Sequence, residues 1–101
     1  MNMQQLIQNA QKMQREYEKA YKVIEETSFE YTANGLVKCV LKGDFTIEKV
    51  EILDKDALSA DNKEMLEEMI TLAYNGCKDQ IMAEQDKLMA KYKGMTGGFP
   101  F

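Results

Sequence analysis

The apolar residues of this chain change their period twice, and each change marks a boundary between predicted elements. From residue 2 to residue 26 they recur every three or four positions, which is the heptad pattern of one long helix. The positions of this seam are Met3, Leu6, Ala10, Met13, Tyr17, Ala20 and Ile24. Between residues 28 and 52 apolar and polar residues alternate instead, and the helical period returns from 61 to 92. The pattern predicts an α+β fold of order α-β-β-β-α.

Two turn pairs, Asn34-Gly35 and Gly43-Asp44, divide the alternating stretch into a three-stranded antiparallel meander. A two-residue loop at the first turn fixes the register of the first hairpin. The resulting pairs are Ala33 with Leu36, Tyr31 with Lys38 and Phe29 with Val40, and Val37, Cys39 and Leu41 then occupy the other face. Both faces are apolar in this register, which indicates that something other than the chain's own helices covers one of them.

If the second turn also has a two-residue loop, Lys38 pairs with Lys49, and such a like-charge pair destabilises a sheet. We therefore expect a β-bulge near Glu48-Lys49, because one extra residue removes this pairing.

Asp61, followed three residues later by Glu64, resembles a capping box at the start of the second helix. The apolar stripe of this helix comprises Leu66, Ile70, Ala73, Cys77, Ile81, Leu88 and Tyr92, widened by Met65, Met69 and Met89. Both cysteines, Cys39 and Cys77, fall on apolar stripes and are expected to be buried thiols.

The helical and strand patterns place residues 1–93 in a single domain. Residues 94–101 contain three glycines and a proline, which predicts a flexible C-terminal tail. Two phenylalanines in this tail, Phe99 and Phe101, are able to dock on a partner.

The predicted helices are too long for the predicted sheet. They span about 37 Å and about 48 Å, whereas a six-residue strand covers about 20 Å. The helices must therefore project beyond the sheet and pair with each other or with a second subunit. Continuation of the sheet across a twofold axis would also protect one of its edges. We expect a homodimer with projecting helical arms.

Composition argues against catalysis and against a membrane span. The 101 residues include no histidine, and no serine or cysteine lies in a recognisable nucleophile motif. Glu64, Glu67 and Glu68 are interpreted as solvated charges on a helix. No apolar run has the length of a membrane span and no signal-peptide pattern opens the chain, so we expect a cytoplasmic protein that is not an enzyme.

Charge is distributed unevenly although the net charge is −4. Residues 1–24 sum to +2, residues 25–86 to −9 and residues 87–101 to +3. Both basic segments lie at the ends of the helices that are distant from the sheet, an arrangement suited to a polyanion. The candidate DNA-binding residues are Lys12, Arg15, Lys87, Lys91 and Lys93. The alternative is an ordinary solvated surface, since lysines late in a helix also complement its dipole.

Several segments of the chain resemble the YbaB/EbfC family of bacterial nucleoid-associated DNA-binding proteins. They are the Gln- and Met-rich first helix, Gly35-Leu36-Val37-Lys38, Val50-Glu51-Ile52, the run that starts at Asp61 and continues to Asn75, and the pairs Gly94-Met95 and Gly98-Phe99. The resemblance implies a tweezer-shaped homodimer that binds duplex DNA through its helices, in the nucleoid and without a cofactor, metal or small-molecule substrate.

Two functions remain open at the level of the sequence. The first is a dimeric protein that contacts the DNA backbone with little base readout. The second is a dimeric scaffold for other proteins, in which the helix seam (Met3, Leu6, Ala10, Met13 and Tyr17) or the tail captures a partner.

Overall fold

The computed structural model describes residues 2–93, and its elements follow the predicted order α-β-β-β-α. Helix α1 spans Met3–Glu26, strands β1, β2 and β3 span Ser28–Ala33, Val37–Lys42 and Ile47–Ile52, and helix α2 spans Lys63–Lys93. Two 3-10 turns, Lys55–Ala57 and Ala60–Asn62, connect β3 to α2. The predicted tail, residues 94–101, lies outside the described residues.

The molecule is elongated because both helices continue past the sheet. Its principal extents are 69 × 19 × 16 Å and its radius of gyration is 19.6 Å, compared with about 13 Å for a compact domain of 100 residues. The prediction of projecting helices is confirmed. Neither helix within residues 2–93 has an apolar stretch long enough to cross a membrane.

The three strands form an antiparallel sheet in the order β1-β2-β3, and α2 packs across β1 and β2. The core lies between this helix and the sheet. Its buried members are Ala33, Val37, Cys39, Leu41, Met69, Ala73, Cys77 and Ile81. Both cysteines are free and buried, as predicted. Burial, followed by the neighbouring Cys39, raises the pKa of the Cys77 thiol to about 11, so this thiol stays neutral and donates to the Cys39 carbonyl at 3.1 Å.

The predicted register of the first hairpin is wrong by one residue. Asn34 and Gly35 do adopt the positive φ values of the expected turn, 51° and 69°, but Ala33 pairs with Val37 rather than with Leu36. Tyr31 pairs with Cys39 instead of Lys38, and Phe29 with Leu41 instead of Val40. A one-residue slip moves every side chain to the other face. The observed register therefore places the apolar residues of both strands on the face that α2 covers. The free energy gained by burying them favours this register over the one that a two-residue loop would give.

Only one face of the sheet is apolar, contrary to the expectation from the shorter loop. The other face carries the Glu30–Lys38 ion pair at 3.3 Å and the Lys49–Glu51 ion pair at 3.5 Å. The bulge expected near Glu48-Lys49 is confirmed, because Val40 pairs with Lys49 while Leu41 pairs with Ile47, which leaves Glu48 as the extra residue. The bulge and one extra residue in the second turn together place Lys38 opposite Glu51 instead of Lys49.

The length of the second turn and the start of the second helix also differ from the prediction. Phe45 joins Gly43-Asp44 in a three-residue loop: it has a φ of 69°, and the amide of Lys42 donates to the Thr46 carbonyl at 2.9 Å. At the second helix, Asp61 lies within the 3-10 turn Ala60–Asn62, so α2 begins two residues later than the capping-box pattern predicts.

Candidate nucleic-acid interface

The part of the molecule that projects from the sheet is an arm made of α1 and residues 82–93 of α2. The two helices run antiparallel, since α1 leads into the sheet and α2 leads out of it. Their contact is aromatic: the ring of Tyr17 lies 5.8 Å from that of Tyr92, edge to face, and 6.1 Å from that of Tyr21. Gln85 donates from Nε2 to the Tyr21 hydroxyl at 3.2 Å. Partial burial and the neighbouring Tyr21 raise the pKa of Tyr17, so the Tyr17 phenol is neutral at physiological pH.

Capping defines the free end of the arm. The Asn2 side chain accepts from the Gln5 amide at 2.8 Å, and the Gln5 side chain accepts from the Asn2 amide at 3.4 Å. This reciprocal capping box satisfies two amides that the first turn of a helix leaves without partners. Helix α1 is thereby stabilised locally, although none of its residues is fully buried.

The cations of α1 lie along one side of the helix. They are separated by three, four and three residues, a spacing that keeps them on a single face. We call this set the basic face: Lys12, Arg15, Lys19 and Lys22. All four are exposed. Helical periodicity places the basic face about opposite the residues that pack toward α2, among them Tyr17 and Ala20.

The cations of the basic face form no ion pairs within residues 2–93, although Glu16, Glu18 and Glu26 lie three or four residues from them on the same helix. None of its four cations forms an ion pair with another described residue, because the pairs found within residues 2–93 involve Lys38, Lys49, Lys63 and Lys87. Toward the free end of α1 the same side continues with the uncharged residues Gln4, Gln8 and Gln11. The positive potential of this face is therefore available to a polyanion.

The groove between the two helices has a different character. It is lined by Tyr17, Glu18, Tyr21, Lys22, Glu25, Gln85, Asp86 and Met89. Three of these eight residues are carboxylates, and the one cation is Lys22, which lies at the border between the basic face and the groove. The excess of carboxylates disfavours phosphate in the groove. The outer side of α1 is thus the part of the arm best suited to a phosphate backbone.

The structure separates the sequence-predicted cations into two groups. Lys12 and Arg15 belong to the basic face. Lys87 and Lys91 are exposed on α2, four residues apart and hence on one face of that helix. Because Lys87 is two residues from both Gln85 and Met89, which line the groove, it points to the side of α2 turned away from α1.

The two exposed lysines of α2 are also less available than the basic face. Lys87 pairs with Glu84 at 3.4 Å, and the Lys91 ammonium lies 5.5 Å from the centroid of the Tyr92 ring. Lys93 ends α2, and its side chain lies outside the described residues.

Sequence reasoning missed two members of the basic face, Lys19 and Lys22. The spacing of Lys19 and Lys22 from Lys12 and Arg15 indicates that all four share one helix face. Knowing which side of α1 packs on α2 then shows that this face is exposed. Of the predicted seam, Tyr17 contacts Tyr92 and Met13 is half-buried. Met3, Leu6 and Ala10 are exposed within the single chain. No group of three or more Cys, Asp or Glu side chains in residues 2–93 is placed to hold a metal ion.

A short α+β domain with a projecting two-helix arm and a row of exposed, unpaired cations on one helix has the features expected of a small polyanion-binding protein. Comparison with known proteins identifies the family. The sequence model of the YbaB/EbfC DNA-binding family matches residues 1–98, and the chain belongs to this family.

Proteins similar to this chain include nucleoid-associated proteins from several bacteria. One from Malacoplasma penetrans is 35% identical, with both chains covered in full. One from Enterococcus faecalis is 34% identical over 95% of this chain and 93% of its own. A third, from Rickettsia prowazekii, is 32% identical over 94% of this chain and 90% of its own.

Proposed function

We propose that the protein is a nucleoid-associated protein that binds duplex DNA as a homodimer, chiefly through the basic face of α1. The observation that carries the proposal is the row of four exposed cations without carboxylate partners on a helix that projects from the sheet. Membership in a DNA-binding family favours this function over the protein-scaffold alternative.

The chemistry of the basic face favours contact with the backbone over base readout. Ten residues separate Lys12 from Lys22, a helix length of about 15 Å. A duplex carries about nine phosphates over that distance. Flexible, solvated lysines position a duplex through these phosphates and carry little sequence information. The protein acts as a binding protein, and no residue is assigned a catalytic role.

The proposed dimer uses the apolar side chains that the fold leaves exposed around α2. Because α2 packs on β1 and β2, the residues Ile47 and Val50 of β3 remain 53% and 43% exposed on the apolar side of the sheet. On α2 itself, Ile70 borders the buried stripe and is 38% exposed. We call these three residues the apolar layer. A second copy packed against it leaves both arms free to reach a duplex.

The salt dependence of DNA binding tests the role of the basic face. Fluorescence anisotropy of a labelled duplex, titrated with protein at several salt concentrations, gives the slope of log K against log salt. We expect a slope that corresponds to about four to eight neutralised phosphates per dimer. The double variant Lys19→Gln/Lys22→Gln removes four cations per dimer, so the slope decreases in magnitude by about 3 to 4.

A matched control separates this local effect from the change in net charge. The variant Lys49→Gln/Lys63→Gln loses the same charge at two exposed positions outside the arm, where both lysines already pair with glutamates. Its salt slope is expected to stay close to that of the unchanged protein. Equal slopes for the two double variants, or a slope that changes only in Lys87→Gln/Lys91→Gln, would contradict the assignment to α1.

A further inference from the structure

The N-terminal half of α1 has an apolar side that no described residue covers. Met3, Leu6 and Ile7 are 75%, 55% and 51% exposed, and every residue from 2 to 12 is exposed. We call the uncovered part of the heptad pattern the free seam: Met3, Leu6, Ala10 and Met13. A contiguous apolar stripe on an exposed helix marks an interaction surface.

Helix α2 stops short of the free seam. Tyr92 is 7% exposed and packs edge to face on Tyr17, and α2 ends one residue later at Lys93. Met13, the nearest residue of the free seam, lies about 6 Å of helix beyond Tyr17. The free seam therefore extends an existing contact between helices past the last residue of α2. A second helix in line with α2 would cover it in the same way.

The charge of this segment indicates which helix fits. Residues 2–11 contain no charged side chain, although 30% of the whole chain is charged. Helices that lie on an anionic lipid surface carry lysine and arginine on their polar side, and this segment has neither. A strongly charged protein partner would gain no ion pair from it. Two copies of the segment, in contrast, meet without repulsion between like charges, so a second copy of this chain is the partner that the composition fits.

An antiparallel register matches the side chains of the free seam by size. Pairing about a twofold axis near residue 8 places Met3 of each copy opposite Met13 of the other, and Leu6 opposite Ala10. A large side chain then faces a small one, which lets two helices interdigitate. The second α1 also runs in the direction of α2 and starts just beyond its end. The positive end of one helix dipole therefore lies near the negative end of the other.

The free seam and the basic face lie about opposite each other on α1. Two α1 helices packed seam to seam therefore direct their basic faces to opposite outer sides of the helix pair. One duplex can lie against each of these sides, since each basic face stays open.

We propose that two copies pack free seam to free seam as an antiparallel helix pair, and that this pair bridges two DNA duplexes bound on its opposite sides. The packing rests on residues 3–13 alone, whereas the bridging rests also on the proposed function. The free seam has few residues beside the about 20 to 30 on each side of a standard protein interface. Pairing in solution is therefore weak, and it is favoured where DNA concentrates the protein.

Sedimentation equilibrium over a rising range of protein concentration measures the pairing without DNA. We expect an association step at high concentration, beyond the dimer formed through the apolar layer. Leu6→Gln leaves the charge unchanged and keeps a good helix former. It removes a buried leucine from both halves of the pair, so the dissociation constant of this step should increase about tenfold or more.

Val23→Gln is the matched control for Leu6→Gln. Val23 is 60% exposed on the same helix, but it lies outside the free seam. The same loss of apolar surface at this position should leave the association step unchanged.

Capture of a second duplex measures the bridging. One duplex is immobilised and loaded with protein, and a labelled duplex is then added. At equal protein loading, Leu6→Gln should capture about tenfold less labelled duplex than the unchanged protein. Fluorescence anisotropy should give both proteins the same affinity for a single duplex, because the basic face is intact in each.

The possible failures are distinguishable. Absence of the association step, an unchanged step in Leu6→Gln, or an equal weakening by Val23→Gln would overturn the seam pairing. Equal capture by Leu6→Gln and the unchanged protein would overturn the bridging. If the unchanged protein bound no single duplex, the proposed function would fail and the bridging with it, while sedimentation would still decide the pairing.

Discussion

Glycines at the two hairpin turns are required for different physical reasons. Gly35 has a φ of 69°, and a Cβ atom built there meets nothing within 4 Å. Gly43 is needed because of close approach: a Cβ there would lie 1.8 Å from the Ile24 carbonyl oxygen and 2.5 Å from its carbon. The atoms in the way belong to the backbone at the end of α1, so no flexible side chain can move aside to make room for the Cβ. The same residue type thus serves backbone conformation at one turn and helix-to-sheet packing at the other.

The expected consequence is that Gly43→Ala destabilises the protein much more than Gly35→Ala. We expect the free energy of unfolding to fall by about 3 kcal/mol or more at Gly43, since the clash forces α1 away from the turn. At Gly35 the loss is about 1 kcal/mol, the cost of a left-handed conformation for a residue with a Cβ. Urea denaturation followed by circular dichroism measures both. Equal losses in the two variants would show that the end of α1 does not rest on the Gly43 turn.

At the scale of elements, the two helices differ in what stabilises them. Helix α2 buries Met69, Ala73, Cys77 and Ile81 against the sheet, so its first half forms part of the cooperative core. Helix α1 has no fully buried residue, and its N-terminal half depends on local terms such as the Asn2 capping box. Opening of this half is therefore expected to be a local event with a low free energy.

This difference predicts that Asn2→Ala affects α1 locally and leaves global stability unchanged. Loss of an N-cap costs about 1 kcal/mol of helix stability, which makes the amides of the first two turns exchange about fivefold faster. The melting temperature should stay the same, because the frayed turns contribute no buried surface to the core. Hydrogen exchange and thermal denaturation of one sample provide both readouts.

Asn2→Ser is the control for the capping variant, since serine also caps helices well. A fall in the melting temperature of Asn2→Ala alone would indicate that the N-terminal half of α1 unfolds together with the core.

At the scale of the whole molecule, the distribution of apolar surface determines how copies can associate. Among the exposed apolar side chains of the sheet region, Ile47 and Val50 of β3 lie on the α2 side, in the apolar layer. The opposite face carries ion pairs between Glu30 and Lys38 and between Lys49 and Glu51. Burial of apolar area drives association, whereas exposed ion pairs contribute little. The apolar layer is accordingly the surface that we assign to the dimer.

The assignment predicts that Val50→Glu produces a monomer while Val40→Glu does not. Both variants replace a valine by a carboxylate in neighbouring strands, but Val40 pairs with Lys49 on the polar face whereas Val50 pairs with Cys39 on the apolar face. Sedimentation equilibrium gives the mass of each variant, and circular dichroism confirms that each is folded. A folded Val50→Glu dimer would contradict the proposed interface.

The salt dependence of DNA binding by the Val50→Glu variant tests whether dimerisation contributes to the proposed function. If both arms of a dimer grip one duplex, a monomeric Val50→Glu variant should bind with about half the salt slope of the dimer, because half of the phosphate contacts remain.

The sequence by itself determined the element order, the positions of the turns and the bulge, and the stripe of α2 that enters the core at Ala73, Cys77 and Ile81. These features follow from local chemistry: helical and strand periods differ, Asn-Gly favours positive φ, and the expected clash of Lys38 with Lys49 requires an extra residue. The sequence also identified two cations of the basic face, Lys12 and Arg15, because they lie in a basic segment that precedes the acidic middle of the chain.

Only the tertiary structure decided the strand register and the side of each helix that faces its neighbour. Register depends on which face of the sheet α2 covers, and that burial placed Val37 rather than Leu36 opposite Ala33. Spacing alone puts Lys19 and Lys22 on one face with Lys12 and Arg15, but the packing of Tyr17 on Tyr92 fixes the rotation of α1 that turns this face away from α2. Local pattern cannot supply these results, because each depends on contacts between residues that are distant in the chain.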